Sequence, residues 1–405
     1  MTETGQRKIK VGVVGCGVVA TAYYLPYLMR HADLVAVCDT SQRRTEACAR
    51  LFGAREQYQD YRAMLAHADI EAVFILTGPG THAAFTLAAV AASKHVLIQK
   101  PMCLTLDDAN AIVAAVRAAG VKALVEPSSN SPLDPIYRDL RALVDQGVLG
   151  DPYWFSLIPT GPDRYGPSLG GNPYGLQAFY SPDSGGMLFD YPYAPTQIVT
   201  ILGACKSVMG MAKVSVPERT IVPERAYDDF LERATDPDDE NYWDVVVDLP
   251  RTEHVTMGAP DNVFSLYEMT SGATGCFHAA RLFHPVLPGM AGGSFQVFGT
   301  EGNLIFDNGH LASLISSKRQ LLPQVGEDGW YHIPYQGDGS KAVWPKPVPG
   351  AFNYYHASTQ HLLDCIRDDR DPIVNVEWGR HITEMMIGAI ESSRTGQRYE
   401  MTTSP

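Results

Sequence analysis

The segment VGVVGCGVVA, residues 11–20, decides the fold of the amino-terminal part of this chain. It leads from a short apolar run, typical of a strand covered on both faces, into a predicted helix over residues 18–30. The pattern G-x-G-x-x-A places Gly15 at a tight turn, Gly17 where a backbone can approach a pyrophosphate, and Ala20 where helix packs on strand. We interpret the segment as a dinucleotide-binding turn, and a purely structural glycine turn is the alternative.

An acidic residue supports the first interpretation. Asp39 lies 22 residues after Gly17, at the end of the next predicted strand, where a carboxylate accepts hydrogen bonds from a ribose 2′-OH and repels a 2′-phosphate. The pattern therefore predicts NAD in preference to NADP. Arg43 and Arg44 follow and could contact a phosphate, although a solvated helix face is the simpler interpretation. The residues expected to contact the cofactor at these two strand ends are Gly15, Cys16, Gly17, Val18, Val19, Asp39, Thr40 and Arg43.

Apolar runs that predict strands alternate with helical patterns over the first third of the chain. The later runs are residues 34–39, 72–77, 95–99 and 121–126. This alternation predicts an α/β Rossmann domain, a doubly wound parallel sheet. We place the domain boundary near Pro127. This gives a nucleotide-binding domain over residues 1–127 and a substrate-binding and oligomerisation domain over residues 128–405.

Composition disfavours several classes of protein. The chain has 405 residues, and its formal net charge of −13 disfavours binding to nucleic acid or to an anionic membrane. No apolar run reaches the roughly 18 residues of a membrane-spanning helix. Seven cysteines without a C-x-x-C pair indicate free thiols in a reducing, cytoplasmic setting. Because no metal-ligand spacing such as H-E-x-x-H is present, we expect no metal.

Two further strand ends carry short motifs where parallel sheets bind their ligands. TGP at residues 77–79, with His82, follows one strand, and QKP at residues 99–101 follows the next. Together with the glycine turn and Asp39, these motifs occur in the order of the glucose–fructose oxidoreductase / inositol dehydrogenase / MocA (Gfo/Idh/MocA) family, which the chain resembles. His82 could instead cap its own helix. The resemblance adds these expected cofactor contacts: Thr77, Gly78, Pro79, His82, Gln99 and Lys100.

The resemblance implies an α+β carboxy-terminal domain with a large open, mostly antiparallel sheet. Residues 295–307 are similar to a strand–turn–strand of that domain, and residues 355–395 are similar to two closing helices that pack near the domain junction. Relatives with exposed sheets commonly pair, which implies a homodimer or homotetramer. Independently of the resemblance, the following runs are strand-like: WFSLI, VMGMAKV, WDVVVDL, VFSLYE, TGCFHAA and FQVFG.

Three segments between these runs are interpreted as long loops: residues 159–183, 216–242 and 320–350. The first is rich in Gly, Pro and Tyr, and we expect either an aromatic wall over a substrate or a surface or oligomer-contact loop. The second carries an acidic cluster and is interpreted as a solvated loop. Three polar residues near a strand end could line the substrate face or lie on the surface: His278, Arg281 and His284.

The chain departs from the family pattern at two positions. Gln99 replaces the glutamate of the E-K-P motif, which would stabilise the ammonium form of Lys100 less and favour its use as a base. The family motif G-G-x-x-x-D-x-G-x-H has no histidine here, and a one-residue deletion brings Tyr193 to that position. Tyr193 is therefore a candidate acid/base or substrate-orienting group, and a packing tyrosine is the alternative. Asp190 shares its helix face and could cap the helix.

The resemblance implies an NAD-dependent oxidoreductase that acts on a secondary hydroxyl of a sugar, glycoside or cyclitol. Lys100 would bind the reacting oxygen and act as a general base or polarise the ketone. Tyr193 would share that oxygen or relay its proton, and Asp190 completes the candidate catalytic set. One alternative is an NAD-retaining hydride-shuttle enzyme, in which oxidation of a glycoside precedes its cleavage or transfer. The missing histidine favours this alternative. The other is a non-catalytic NAD- and sugar-sensing regulator, which the presence of Lys100 disfavours.

Overall fold

The structure, a computed structural model, describes residues 7–158, 180–234, 249–280, 294–307, 311–334 and 353–405. The amino-terminal sheet has six parallel strands: β1 (Lys10–Val14), β2 (Asp33–Cys38), β3 (Glu56–Tyr58), β4 (Ala72–Ile75), β5 (His95–Ile98) and β6 (Ala123–Val125). Their order is β3-β2-β1-β4-β5-β6, so it reverses between β1 and β4. The doubly wound sheet is confirmed, and its ligand crevice lies outside the carboxyl ends of these strands.

Helices alternate with the strands and bury both faces of the sheet. Their bounds are α1 (Leu25–His31), α2 (Gln42–Phe52), α3 (Tyr61–His67), α4 (His82–Ala91) and α5 (Leu106–Ala119). Alternate residues of β4 show the two faces, because Phe74 belongs to one hydrophobic core, whereas Val73 and Ile75 belong to the other. This burial on both sides explains why the strands read as continuous apolar runs.

Capping side chains and glycines mark the ends of these helices. The side chain of Asp60 accepts a hydrogen bond from the first turn of α3, and that of Thr105 accepts one from the backbone N–H of Asp108 in α5. Gly53 and Gly120 end α2 and α5 with φ of 76° and 65°, a left-handed conformation that glycine adopts without a Cβ clash. These caps satisfy polar groups at the helix ends.

Two details of this domain differ from the expectation. The helix predicted over residues 18–30 contains Pro26 and is not uniform, because a π-helical turn over Ala20–Tyr24 lies immediately before α1. Because proline lacks an N–H and crowds the preceding turn, a widened turn just before it accommodates the ring. The edge strand β3 was not predicted, because its sequence EQY shows neither an apolar run nor apolar alternation.

The described residues of the carboxy-terminal part form a nine-stranded sheet and a two-stranded ribbon. The strands are β7 (Pro152–Ile158), β8 (Cys205–Lys213), β9 (Glu218–Ile221), β10 (Glu253–Thr256), β11 (Asn262–Met269), β12 (Thr274–Ala280), β13 (Ser294–Gly299), β14 (Gly302–Asp307), β15 (Leu311–Ser316), β16 (Tyr331–Pro334) and β17 (Tyr399–Glu400). The large sheet runs β16-β15-β14-β13-β7-β12-β11-β8-β17, and β9 pairs with β10. Among the described pairs of the large sheet, β7 with β12 is parallel and the others are antiparallel. The predicted open, mostly antiparallel sheet is confirmed.

Helices of this part connect the two sheets. They are α6 (Pro135–Asp145), α7 (Tyr193–Leu202), α8 (Glu224–Arg233), α9 (Tyr354–Arg367) and α10 (Val376–Thr395). The closing helix α9 contacts β5 and β6, and α10 contacts α5 and β6 on one side and β8 on the other. Gly379 allows this approach, because a Cβ there would lie 2.7 Å from Val125 Cγ1. No helix in the described ranges is both long and apolar enough to span a membrane.

The interpretation of residues 216–242 as a solvated loop is wrong for their described part. Residues 218–221 form β9, and residues 224–233 form α8. Tyr227, Phe230 and Leu231 are buried at the spacing of one helix face. The many charges between them obscured this periodicity. The acidic cluster after residue 234 lies outside the described residues, as do residues 159–179, the run WDVVVDL up to residue 248, and residues 335–352. Part of the third predicted loop forms β16.

A buried histidine of α10 forms a hydrogen bond to β8 of the large sheet. His381 Nε2 accepts a hydrogen bond from the backbone N–H of Cys205 at 3.0 Å, and its Nδ1 lies 3.1 Å from Thr403 Oγ1. Because a backbone N–H can only donate, Nε2 is unprotonated, and Nδ1 carries the proton of the neutral ring. Burial lowers the pKa of His381 to about 4. The folded protein therefore requires this ring to be neutral.

This requirement predicts a loss of stability in mild acid. The pKa of His381 is lower in the folded chain than its ordinary value of 6.5, so its contribution is complete above pH 6.5 and is lost as the pH falls towards about 4. Between about pH 8 and pH 5, we expect it to account for about 2 kcal/mol of the decrease in the free energy of unfolding. In urea titrations of His381→Asn, the free energy of unfolding should therefore decrease by that much less over the same pH range. The exposed His67→Asn should keep the parent slope, and an unchanged slope in His381→Asn would contradict the assignment.

Candidate active site

The glycine turn forms an open cradle at the end of β1. Gly15 has φ of 92°, and a Cβ there would lie 2.6 Å from the carbonyl oxygen of Leu76, so only glycine fits this turn. At Gly17, by contrast, no atom lies within 4 Å of the place a Cβ would occupy. This open space lies at the amino end of the following helix, where backbone N–H groups and the helix dipole favour an anion. The turn therefore fits a pyrophosphate.

Asp39 borders the same cradle from the end of β2. Its carboxylate accepts hydrogen bonds from the backbone N–H of Cys16 at 2.8 Å and of Ser41 at 2.9 Å. These bonds hold the carboxylate beside the glycine turn, where a ribose hydroxyl would follow the pyrophosphate. Val18 and Val19 are half-buried, and Thr40 is exposed next to Asp39. The residues expected at these two strand ends therefore share one edge, apart from the side chain of Arg43, which pairs with acids of α8.

The ends of β4 and β5 are tied together by His82. Its ring is fully buried, with Nδ1 2.6 Å from the carbonyl oxygen of Pro101 and Nε2 3.0 Å from that of Thr77. Burial lowers the pKa of His82, because desolvation of the charged ring outweighs the two carbonyl contacts. An enclosed ring has no surface for a ligand, so His82 differs from the direct cofactor contact expected for it. It holds the Thr77-Gly78 and Lys100-Pro101 loops at a fixed spacing.

Lys100 lies at the centre of the site. Its ammonium forms an ion pair with Asp190 Oδ1, from the turn before α7, and lies 3.4 Å from the backbone carbonyl oxygen of Asp190. It also lies 5.5 Å from the ring centroid of Tyr193, within the range of a cation–π contact. Side-chain exposure is 14% for Lys100 and 6% for Asp190. The structure thus brings Lys100 together with Asp190, 90 positions later in the sequence, and with Tyr193.

The position of Asp190 corrects one inference from the sequence. Gln99 lacks the negative charge of the family glutamate. The carboxylate of Asp190 supplies a negative charge instead, because it forms an ion pair with the Lys100 ammonium. Gln99 instead contacts the backbone, where its Oε1 accepts a hydrogen bond from the Lys100 N–H at 2.8 Å. The expectation that Gln99 leaves Lys100 with a less stabilised charge therefore does not follow from this geometry.

A buried hydrogen-bond chain extends from Gln99 into the protein. Gln99 Nε2 donates to Tyr24 Oη at 2.9 Å, and Tyr24 donates to Glu126 Oε1 at 3.1 Å. Glu126 also accepts hydrogen bonds from Ser128 and Ser358. Burial raises the pKa of Glu126 despite these bonds, and burial together with the Glu126 carboxylate raises the pKa of Tyr24. The chain holds the end of β5, and with it Lys100, in one orientation.

Tyr193 is positioned by a second tyrosine. Its hydroxyl lies 3.0 Å from that of Tyr354 at the start of α9, and the two rings meet edge to face. Hydroxyls can donate and accept, so this pair can pass a proton between them without moving either ring. Tyr193 begins α7 directly after Pro192, which places its side chain near the Lys100 ammonium.

Sequence reasoning missed Glu126, Tyr24, Tyr354 and α8. Glu126 had the signal that found Asp39, since each is a polar residue directly after a buried strand. Tyr24 and Tyr354 had no such signal, because tyrosines at helix starts are common packing residues. His278 lies on β12 facing away from Phe277, which contacts Tyr191 beside the site. Arg281 and His284 lie outside the described residues.

The arrangement can bind a dinucleotide and exchange a proton with a hydroxyl group. The cradle, Asp39 and the loops after β4 and β5 line one crevice edge, and Lys100 and Tyr193 bring an ammonium and a phenol together at its β5 end. Such positioned groups act as general acids and bases. Among the described residues, no group of three or more His, Cys, Asp or Glu side chains is arranged to hold a metal ion.

Comparison with solved structures supports the fold along nearly the whole chain. Levoglucosan dehydrogenase, in complex with NADH and levoglucosan, superposes with a TM-score of 0.72 at 17% identity, over 98% of this chain and 100% of that chain. An oxidoreductase from Agrobacterium radiobacter, in complex with NAD+, L-tartaric acid and magnesium, gives 0.69 at 18% identity, over 97% and 98%. At these identities the similarity shows the fold alone.

Curated relatives match over a shorter stretch. Inositol 2-dehydrogenase of Burkholderia multivorans is 36% identical over 148 residues, which is 36% of this chain and 43% of the relative. D-apiose dehydrogenase of Paraburkholderia graminis is 31% identical over 154 residues, 38% of this chain and 40% of the relative. The matched part therefore spans less than half the length of these relatives.

Two family models cover most of the chain and agree with the site just described. The model for the oxidoreductase family GFO_IDH_MocA, NAD-binding Rossmann fold, matches residues 9–126, which contain the cradle, Asp39 and Lys100. The model for the GFO/IDH/MocA C-terminal domain matches residues 137–305, which contain Asp190, Tyr193 and most of the large sheet. By this sequence match and by its fold, the chain belongs to the Gfo/Idh/MocA family of NAD-binding oxidoreductases.

Proposed function

We propose that this protein is an NAD-dependent dehydrogenase that oxidises a secondary hydroxyl of a sugar, glycoside or cyclitol, or reduces the corresponding ketone. The observation that carries the proposal is the position of Lys100. Its ammonium stands at the carboxyl end of β5, in contact with Asp190 and within 5.5 Å of the Tyr193 ring centroid. Nearby are the loops that would hold the nicotinamide, those of Thr77 and Gln99.

The residues present fit the cofactor. Gly15 and Gly17, with the following helix, would hold the pyrophosphate, and Asp39 would accept hydrogen bonds from a ribose. When bound, NAD supplies the acceptor for a hydride. These contacts favour NAD over NADP, since the Asp39 carboxylate would repel a 2′-phosphate.

The protein's own groups would handle the proton. Lys100 would hold the reacting oxygen and, in its neutral amine form, would receive the hydroxyl proton directly or through Tyr193 as the hydroxyl becomes a ketone. The Tyr193–Tyr354 hydroxyl pair, at 3.0 Å, would pass that proton onward. Asp190 would keep Lys100 in place throughout. In the reverse direction, the same groups would return the proton to the forming hydroxyl.

The names of related proteins support the substrate class. Curated relatives include inositol 2-dehydrogenase and D-apiose dehydrogenase, and one structural neighbour is a levoglucosan dehydrogenase. Inositol, apiose and levoglucosan are all polyhydroxy compounds of the cyclitol and sugar classes. An open sheet face would suit a homodimer or homotetramer, and exposed apolar residues on it support that proposal: Trp154, Ile158, Met209, Met211 and Leu266.

A thermal-shift screen with NAD, NADP and a panel of cyclitols and pyranosides tests this function. We expect NAD to raise Tm, one sugar class to raise it further, and that class to give NADH by absorbance. NAD that survives gel filtration, with substrate consumed and no net NADH, would instead indicate the hydride-shuttle enzyme. NAD and sugar binding without any product would indicate a sensor. A protein that binds neither NAD nor NADP would contradict the proposal.

A further inference from the structure

An acidic helix of the carboxy-terminal part is docked on the nucleotide-binding domain by arginines of α2. Arg43 Nη2 donates to Asp229 at 2.8 Å and to Glu232 at 2.6 Å. Arg44 Nε donates to Asp228 at 2.5 Å, and this pair is the more buried one, with side chains 16% and 15% exposed.

Further contacts of Arg44 and Arg50 also hold α8 on α2. Arg44 Nη2 lies 3.4 Å from Glu224, and the guanidinium lies 5.7 Å from the centre of the Tyr227 ring. Arg50 donates to the backbone carbonyl oxygen of Ala234 at 2.6 Å, just after the helix ends. Both arginines that follow Asp39 are thus engaged by carboxylates from a distant part of the sequence.

This helix borders the place where the adenosine ribose would lie. The hydroxyl of Tyr227 is 2.6 Å from Thr21 Oγ1, and Thr21 in turn lies 3.2 Å from the carbonyl oxygen of Gly17 in the cradle. On its other side, α8 faces the start of α2, which begins three residues after Asp39. The contact therefore spans the two elements that would surround a ribose 2′ position.

The pairing has a consequence for cofactor choice. In this fold, an arginine after β2 can accommodate the 2′-phosphate of NADP. Here a phosphate would have to displace carboxylates from Arg43 and Arg44 and would then stand beside those carboxylates and Asp39. A ribose 2′-OH, by contrast, needs only Asp39. Docking of α8 therefore weakens the binding of NADP and leaves the binding of NAD unaffected.

We propose that α8 makes this protein selective for NAD, because its carboxylates withhold Arg43 and Arg44 from a 2′-phosphate. The residues that determine selectivity are Asp228 for Arg44 and Glu232 with Asp229 for Arg43. The inference rests on the proposed NAD-dependent function. It identifies a second determinant of selectivity for NAD over NADP, in addition to Asp39. This determinant comes from the carboxy-terminal part of the chain and lies outside the nucleotide-binding domain.

The test measures dissociation constants for NADH and NADPH by calorimetry on the purified full chain. One charge-assisted hydrogen bond regained by the phosphate corresponds to about a tenfold change in affinity. Asp228→Asn/Glu232→Gln should therefore bind NADPH about tenfold more tightly than the parent, with NADH affinity changed by less than about twofold. Asp229→Asn/Glu232→Gln changes only exposed acids, so it tests Arg43 alone without risk to the buried pair.

Two controls make the outcome specific. Asp368→Asn/Asp371→Asn changes the net charge equally at exposed positions of another turn and should leave both affinities unchanged. Adding Arg43→Ala/Arg44→Ala to Asp228→Asn/Glu232→Gln should abolish the gain for NADPH. A gain that survives loss of both arginines, or unchanged NADPH affinity in folded variants that bind NADH, would overturn the proposal. If the parent binds neither NADH nor NADPH, the proposed function fails instead.

Discussion

Replacing Lys100 by alanine is expected to lower kcat by roughly 10²- to 10⁴-fold, the usual contribution of a positioned acid–base group. The physical reason is that Lys100 is the cation at the carboxyl end of β5 and stands between Asp190 and the ring of Tyr193. Loss of the ammonium would remove both the hydrogen bond to the reacting oxygen and the path for its proton. The measurement is steady-state turnover with the sugar identified in the screen.

The same variant should keep its cofactor. The groups expected to hold the pyrophosphate and ribose belong to the glycine turn and Asp39, at the ends of β1 and β2, so the NADH dissociation constant should change little. Lys94→Ala, which removes a lysine bonded to the backbone of Ile70 away from these loops, is the matched control and should turn over normally. Near-parental turnover by Lys100→Ala would show that Lys100 does not handle the proton.

Replacing Asp190 by asparagine is expected to have the second largest effect. Its carboxylate is 6% exposed and pairs with an ammonium that is itself only 14% exposed. Removing one partner of such a pair leaves the other charge in a poorly solvated place, which costs about 3 kcal/mol in the free energy of unfolding. We expect that loss in urea titrations at neutral pH, with lower kcat because Lys100 is no longer held.

A double-mutant cycle separates the ion pair from general damage. Asp190→Asn/Lys100→Met removes both charges, so it should recover much of the stability lost in Asp190→Asn and turn over no more slowly than Lys100→Met alone. Additive losses in stability and in kcat would contradict the pairing. Asp183→Asn, at an exposed position a few residues earlier in the chain, serves as the control and should match the parent.

Features encoded within a few residues were predictable. The turn at Gly15 needs a left-handed backbone conformation, and the caps at Asp60 and Thr105 are local hydrogen bonds, so sequence spacing alone indicates them. Asp39 was predicted to lie beside the glycine turn because a parallel sheet carries its ligand groups at strand ends, and its carboxylate does accept a hydrogen bond from the Cys16 N–H. The same reasoning applied to the polar residue after β6 would have found Glu126.

Features that depend on distant pairing were not predictable in the same way. The sequence predicts Asp190 as a catalytic or capping residue, but only the ion pair formed in the folded chain shows that it compensates the charge of Lys100. The segment containing α8 was interpreted as a solvated loop, because its charges lacked visible partners. Those partners are Arg43 and Arg44, about 180 residues earlier in the chain.

The sequence by itself determined the doubly wound domain, the glycine turn, the acid after the second strand and the lysine at a strand end, because each follows from local geometry repeated along a parallel sheet. Only the tertiary structure decided which charges meet. It paired Lys100 with Asp190 and the arginines of α2 with the acids of α8. Charge alone does not specify a partner, since an exposed side chain and a paired one have the same sequence signature until folding brings the elements together.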